Sequence, residues 1–288
     1  MPAVKTDRTG NRMMPAGLLQ ISSAMTDSPI VFIDSGVGGL PYLEWLRLRR
    51  PDLPVSYIAD TQHFPYGERS SEEVRNAVLH TAGRLFEKTS PRLLVLACNT
   101  ASVAALDALR DISGMPVVGT VPAVKPAAKL NTRGPIGVLA TQGTVTSPYL
   151  DDLEASFSRE RPIARVAAGD IVRYVEERML EEEGRGVAEV LDRALEELKE
   201  KRVGSVVMGC THFLHVMEDI ASIMGDIPLV DSRDGVGRRI LSLLNEDSRP
   251  AERAPDAQAY FYVTEEGETD ERYKRFAENY GLDWKGRL

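Results

Sequence analysis

Cys98 and Cys210 are the chain's two cysteines, and each ends an apolar run that reads as a buried strand. Arg92-Leu-Leu-Val-Leu-Ala97 leads to Cys98, and Val203-Gly-Ser-Val-Val-Met-Gly209 leads to Cys210. Small polar residues able to open a helix follow at once, Asn99-Thr100 and Thr211-His212. A thiol there, between a parallel strand and a helix N-terminus, sits where α/β folds place reactive groups. The helix dipole and free backbone N–H groups also favour thiolate over thiol. Cysteine titrates near pH ~8.5, so one thiol can serve as base while another stays protonated as acid. A single cysteine is most simply a small buried hydrophobe. Duplicated context is not something core packing asks for, and it suggests one site worked from two sides.

Other chemistry is less favoured. Nothing in the chain marks an oxidising compartment, which argues against a disulfide. Zinc could draw on Cys210, His212 and His215, but there is no C-x-x-C pair and Zn²⁺ wants three or four protein ligands. No metal and no cofactor is expected, and no pyridoxal-phosphate lysine motif is seen.

Asp34-Ser35-Gly36-Val37-Gly38-Gly39 reads as a strand-to-helix turn. Its glycines suit either a phosphate loop or a merely tight turn. The spacing fits neither nucleotide fingerprint and no lysine follows. Asp34 would repel phosphate, whereas beside a thiol it could accept a proton or orient its partner. Asp60 to Gly67 forms a loop after a strand, holding Pro65-Tyr66-Gly67. Thr141 and Thr144 stand where a second unit repeats the Asp34 turn, able to bind a carboxylate or simply to cap a helix. His212, two residues from Cys210, could pair with that thiol.

Alternating strands and helices must position these residues. Strands are expected at Ile30 to Ile33, Val55 to Ala59, Leu93 to Ala97 and Pro116 to Gly119. A first helix should run through about Arg50, and a second, opened by Ser70-Ser71-Glu72-Glu73, to about Lys88. The pattern then restarts: Ser28-Pro29-Ile30-Val31 aligns with Gly134-Pro135-Ile136-Gly137, and Pro116 and Pro228 open strands at equal intervals after their cysteines. The expected fold is α/β, with two similar domains, each a mainly parallel sheet flanked by helices. The two would be related by a pseudo-two-fold with the site between them.

At 288 residues the chain fits two ordinary domains, and 43% hydrophobic with 27% charged residues is soluble and globular. A net charge of −8 with scattered basic residues argues against a nucleic-acid surface. No apolar stretch is long enough to span a bilayer, so no membrane partner is expected. Residues 1–24, basic and broken by Pro15, read as a disordered extension rather than a signal peptide, with Met25 a plausible alternative start. A cytoplasmic protein is expected.

Four ordered motifs carry a resemblance: Asp34-Ser-Gly-Val-Gly-Gly-Leu40, Asp60-Thr with Pro65-Tyr-Gly67, Ala97-Cys-Asn-Thr-Ala-Ser102, and Gly209-Cys-Thr-His212. Together they resemble the glutamate racemases of the cofactor-independent amino-acid racemase superfamily, from about Ile30 to the C-terminus. The resemblance implies that residues 25–121 with 231–288 form one domain and 122–230 the other. It implies conversion of L-glutamate to D-glutamate for peptidoglycan, with glutamate as the small-molecule partner and a homodimer as the assembly. By the same likeness Cys98 and Cys210 are catalytic, with Asp34 and His212 as their helpers. Ser35, Pro65, Tyr66, Gly67, Asn99, Thr100, Thr141, Thr144 and Thr211 match substrate-binding positions, and Glu176 matches a family glutamate near the second cysteine. The stretch Val166-Ala-Ala-Gly-Asp170 departs from the family pattern, as does Phe213-Leu214.

Racemisation removes a proton from one face of a carbon and returns one to the other, so two groups on opposite walls are the economical geometry. Positioned proton transfer contributes about 10²–10⁴-fold. The α-proton is far less acidic than a thiol, so hydrogen bonds must also stabilise charge growing on the α-carboxylate. Asn99, Thr100, Thr211 and the two helix N-termini are the candidate donors. Competing readings are a racemase of aspartate or another small acidic substrate, a binding protein closing on an amino acid, and a nucleotide-binding protein using Gly36 to Gly39.

Overall fold

The computed structural model describes residues 28–245, 257–265, 267 and 270–288, so the expectation for residues 1–24 lies outside it. Among the described residues ten strands form two sheets. They are β1 (Ile30–Asp34), β2 (Val55–Ala59), β3 (Leu93–Leu96), β4 (Val117–Gly119), β5 (Ile136–Ala140), β6 (Ile163–Ala167), β7 (Ser205–Met208), β8 (Leu229–Val230), β9 (Ala259–Val263) and β10 (Asp283–Arg287). The first sheet runs β10-β9-β2-β1-β3-β4 and the second β6-β5-β7-β8. Every pairing is parallel.

The order β2-β1-β3-β4 is repeated as β6-β5-β7-β8. The restart of the sequence pattern is therefore a restart of topology, with β3 and β7 in equivalent places. What the apolar runs did not announce is the return of β9 and β10 to the edge of the first sheet. Asp283–Arg287 carries no apolar alternation. It reads as a strand only once β9 offers it an edge.

All five residues of β1, β2 and β5 are buried, as continuous apolar runs in a sheet covered on both faces must be. Each fully buried Val, Leu, Ile or Phe contributes about 1.5–3 kcal/mol against solvent exposure. One apolar cluster joins the two sheets, running from Phe32, Tyr57 and Phe261 through Val37 and Val175 to Leu195 and Met208. Helix starts follow their capping chemistry. The helix Ser71–Lys88 carries a complete capping box between Ser70 and Glu73. The first helix, Leu40–Arg47, runs on into a turn whose last i→i−4 bond is made by the Arg50 N–H, and the residue before Pro51 is disfavoured in helical backbone. Among the described residues no helix is long and apolar enough to cross a membrane.

Candidate active site

Cys98 follows β3 and Cys210 follows β7, and their backbones match: φ −138°, ψ 126° against φ −136°, ψ 139°. Each is extended and occupies the N-cap position of the next helical segment. Both sulfurs line one cavity of about 160 Å³ with Ser35, Pro65, Tyr66, Gly67, Thr100, Thr141 and His212. That is well below the ~300 Å³ where drug-sized ligand pockets begin, so the space suits a small molecule. Five further lining residues, Glu68, Gln142, Gly169, Val172 and Arg173, were not anticipated from sequence. Asp34, Asn99, Thr144, Thr211 and Glu176 are buried behind this wall rather than on it.

The two thiols have different surroundings. Asp34 stands against Cys98, close enough to hydrogen-bond it. Its Oδ1 accepts the Ser35 N–H at 2.6 Å and its Oδ2 the Gly39 N–H at 2.5 Å. The Tyr57 hydroxyl donates to Oδ2 at 3.3 Å and the Thr211 hydroxyl at 3.4 Å. Burial still pushes the carboxyl above its ordinary range, with the neighbouring Glu176 charge adding to the effect. Cys98 is pushed well above the usual thiol range by burial and then by the Asp34 charge, against the Ala101 N–H that favours thiolate. A proton is therefore held on this wall.

On the other wall His212 Nδ1 lies 3.7 Å from the Cys210 sulfur, and Nε2 lies 2.7 Å from Glu176 Oε1. Burial alone would discharge the imidazole, but its bonds to Cys210 and Glu176 outweigh that and hold its pKa well above the ordinary value. Glu176 shows the reverse. Burial favours its neutral form, yet His212, the Val37 N–H at 2.6 Å and the Tyr273 hydroxyl at 3.0 Å keep it below the usual carboxylate range. It sits in a π-helical turn, Tyr174–Arg178, a distortion that often marks functional positions.

The glycines of the first turn now have a reason. A Cβ on Gly36 would lie 1.8 Å from Glu176 Oε1, and one on Gly38 would lie 2.5 Å from His212 Nδ1. The turn does cradle an anion, but the anion is the protein's own Glu176 carboxylate on the Val37 N–H. The nucleotide reading is overturned by that occupancy.

After Cys210 the expected α-helix is instead a 3₁₀ segment, Thr211–Val216, before the helix Met217–Met224. At three residues per turn, His212 and His215 eclipse on one face. Both face the glycine turn: His215 Nε2 donates to the Val37 carbonyl at 3.0 Å, and the His212 ring lies against Gly38. Among the described residues no group of three or more His, Cys, Asp and Glu side chains could hold a metal ion. Burial, with the His212 charge, lowers His215 to about 4, leaving it neutral.

The remaining predicted residues gather around the same space. The Tyr66 hydroxyl donates to buried Asp60, which also accepts from Thr264 at 2.7 Å and lies 2.9 Å from His63 Nδ1. Thr141 lies 3.3 Å from Thr144 and 3.5 Å from Thr100, hydroxyl to hydroxyl. Asn99 is 2% exposed, and neither atom of its side-chain amide finds a partner among the described residues. An unsatisfied buried amide is costly, and a ligand would satisfy it. Sequence reasoning missed Tyr57, Tyr273 and Arg173. Tyr57 is hidden in an ordinary strand, and Tyr273 and Arg173 have no local motif at all.

A model of the Asp/Glu/hydantoin racemase family matches residues 43–234 of this chain. The glutamate racemase of Sphingopyxis alaskensis is 41% identical over 235 residues, covering 80% of this chain and 87% of that protein. The glutamate racemase of Treponema pallidum is 36% identical over 258 residues, covering 89% and 95%. Among solved structures, Escherichia coli glutamate racemase in complex with L-glutamate and the activator UDP-MurNAc-Ala superposes with a TM-score of 0.79. It is 34% identical, with 91% of this chain and 98% of that one covered. The Francisella tularensis glutamate racemase bound to D-glutamate gives a TM-score of 0.73 at 25% identity, covering 91% and 97%.

Proposed function

From the premise that the chain belongs to the Asp/Glu/hydantoin racemase family, we propose that it interconverts L-glutamate and D-glutamate, supplying the D-enantiomer for peptidoglycan. Its substrate is a small molecule, and the relatives matched over most of the chain are glutamate rather than aspartate racemases. The observation that carries the reading is the pair of thiols, one from each sheet, on one small cavity at equivalent strand ends. A binding module would need neither sulfur.

In this scheme one cysteine, as thiolate, takes the α-proton while the other, as thiol, delivers a proton to the opposite face. The roles exchange for the other enantiomer. Asp34 orients Cys98 and shares its proton, and His212 does so for Cys210, with Glu176 behind it. As the α-carbon loses its proton, negative charge spreads onto the α-carboxylate. The backbone N–H groups at the two helical starts, that of Thr211 among them, with the side chains of Asn99 and Thr100, are the donors proposed to meet that charge. Asn99 supports this most directly, since its amide is buried without a protein partner. Ser35, Pro65, Tyr66, Gly67 and Thr141 hold the rest of the substrate, with Thr144 behind Thr141. The two lobes are 25–121 with 231–288, and 122–230. A cytoplasmic location and a homodimer complete the reading, the second checked by sedimentation velocity.

The test incubates purified protein with L-glutamate, L-aspartate and other amino acids in D₂O, following optical rotation and α-deuterium uptake. Rotation loss and deuterium uptake with glutamate are expected. Activity on aspartate alone would overturn the substrate, and no exchange with any amino acid would leave a binding module.

A further inference from the structure

The C-terminal helix Asp270–Asn279 comes back across the molecule with one face buried: Tyr273, Phe276 and Ala277. Together with Tyr280 these residues follow the i, i+3, i+4, i+7 spacing of a single helix face. That face braces the 3₁₀ segment after Cys210. The His215 ring packs edge-on against Phe276 and Tyr280, each at 6.0 Å between centroids, and the Tyr280 hydroxyl lies 3.3 Å from His215 Nδ1. Phenylalanine would fill the volume of Tyr273 equally well, so its hydroxyl needs a separate reason. It donates to Glu176 Oε2 at 3.0 Å.

The two oxygens of Glu176 have divided work. Oε1 accepts from both His212 Nε2 and the Val37 N–H. A carboxylate rotates almost freely about its last torsion, so Oε1 stays between those donors only if Oε2 is also held. We propose that Tyr273 is a positioning residue for the Cys210 wall, fixing Glu176 so that its other oxygen holds His212 against the thiol. The inference rests on the racemase reading above. It extends the chain Cys210–His212–Glu176 by one member, drawn from a segment that rejoins the first sheet.

The groups facing this chain come from every side. Asp34 and Tyr57 approach from the first sheet, Cys210 and His215 from the 3₁₀ segment, and Arg272 stands beside Tyr273 on its helix. Burial holds Tyr57 and Tyr273 as phenols, and His215 is neutral at working pH. Removing the Tyr273 hydroxyl leaves one buried carboxylate oxygen unpaired, which favours a proton on Glu176 and so weakens its hold on the His212 proton.

The experiment measures kcat/KM against pH for wild type, Tyr273→Phe, Glu176→Gln and the double variant, with both enantiomers. The equilibrium constant between enantiomers is one, so kcat/KM must fall equally in both directions while kcat and KM separately need not. Tyr273→Phe is expected to lower kcat/KM about tenfold above neutrality and to move the alkaline limb down by about one pH unit, the size of one charge-assisted hydrogen bond. In the Glu176→Gln background the same change should do nothing further, because residues acting through one another are not additive. Far-UV circular dichroism at each pH gives the folded fraction by which kcat/KM is scaled, so partial unfolding does not imitate the shift. An equal loss at every pH, no loss at all, or additive losses in the double variant would each overturn the inference. A wild type that fails to racemise glutamate removes the racemase reading itself, a separate outcome.

Discussion

Gly36 and Glu176 lie far apart in the chain, and the glycine's missing Cβ is the space that Glu176 Oε1 occupies, 1.8 Å from where that carbon would stand. Helix formation does not explain the glycine. Backbone there must come close enough for the Val37 N–H to reach the same oxygen at 2.6 Å. Gly36→Ala should therefore displace Glu176, destabilising the fold by about 1–3 kcal/mol through overpacking. A misplacement near 1 Å should cost about 10²-fold in kcat/KM. Gly83 is the control, because a Cβ there meets nothing within 4 Å and the residue lies inside the helix Ser71–Lys88. Gly83→Ala should stabilise by about 0.5–1 kcal/mol with activity unchanged. Melting curves and a racemisation assay on the two variants decide it, and equal effects would sink the distinction.

The halves of this contact were unequally legible in the sequence. Asp34, Cys98 and Cys210 could be read because each ends a run of apolar residues, and strand ends are where chemistry gathers in parallel sheets. Ser70 and Glu73 could be read because capping is local. Tyr273 could not, since its role is set by a bond to Glu176 far along the chain, and nothing nearby distinguishes it from a core phenylalanine. The 3₁₀ turn after Cys210 was hidden for the same reason. Thr211-His212 opens a helix by composition, and it is the placing of both His212 and His215 against the glycine turn that goes with the tighter winding.

Removing either thiol should leave half a reaction. Cys98→Ala and Cys210→Ala are each expected to lose at least about 10²–10⁴-fold in racemisation, the contribution of one positioned proton-transfer group. Each variant still has one thiol able to take the α-proton from its own side. In D₂O each should then exchange the α-hydrogen of one enantiomer far faster than that of the other, with opposite preferences for the two variants. Full turnover in either variant would refute the two-base scheme, as would identical preferences.

The His212–Glu176 pair fixes a pH window for stability. His212 is held above its ordinary value by Cys210 and Glu176 against burial, so its contribution is complete below the unfolded value of 6.5. That contribution is lost as pH rises through the higher folded value. Glu176 is lowered by His212 and its N–H and hydroxyl partners against burial, so its contribution is complete above 4.5 and lost as pH falls through the lower folded value. His212→Gln should cost about 3–5 kcal/mol near neutrality by breaking a buried pair. Urea midpoints should show wild type losing that advantage as the solution becomes alkaline. A gap that widens with rising pH would contradict the assignment.

Arg173 is the one Lys or Arg side chain among the residues lining the cavity. Its Nη2 lies 2.6 Å from Glu68 Oε1, joining a helix of the second half to the turn Tyr66–Glu68 of the first. Both side chains are about half exposed, at 50% and 56%, so water and salt screen the pair and its effect on folding should be negligible. Its field on an arriving amino acid of net charge −1, with two carboxylates and one ammonium, is another matter, because charge at a cavity mouth acts on encounter rather than on the chemical step. Arg173→Met should raise KM for glutamate several-fold, leave kcat and the melting temperature near wild type, and lose its effect as salt shortens the Debye length below about 8 Å. Glu68→Gln frees the guanidinium and should lower KM under the same conditions. A fall in kcat with KM unchanged would instead place Arg173 in the chemical step.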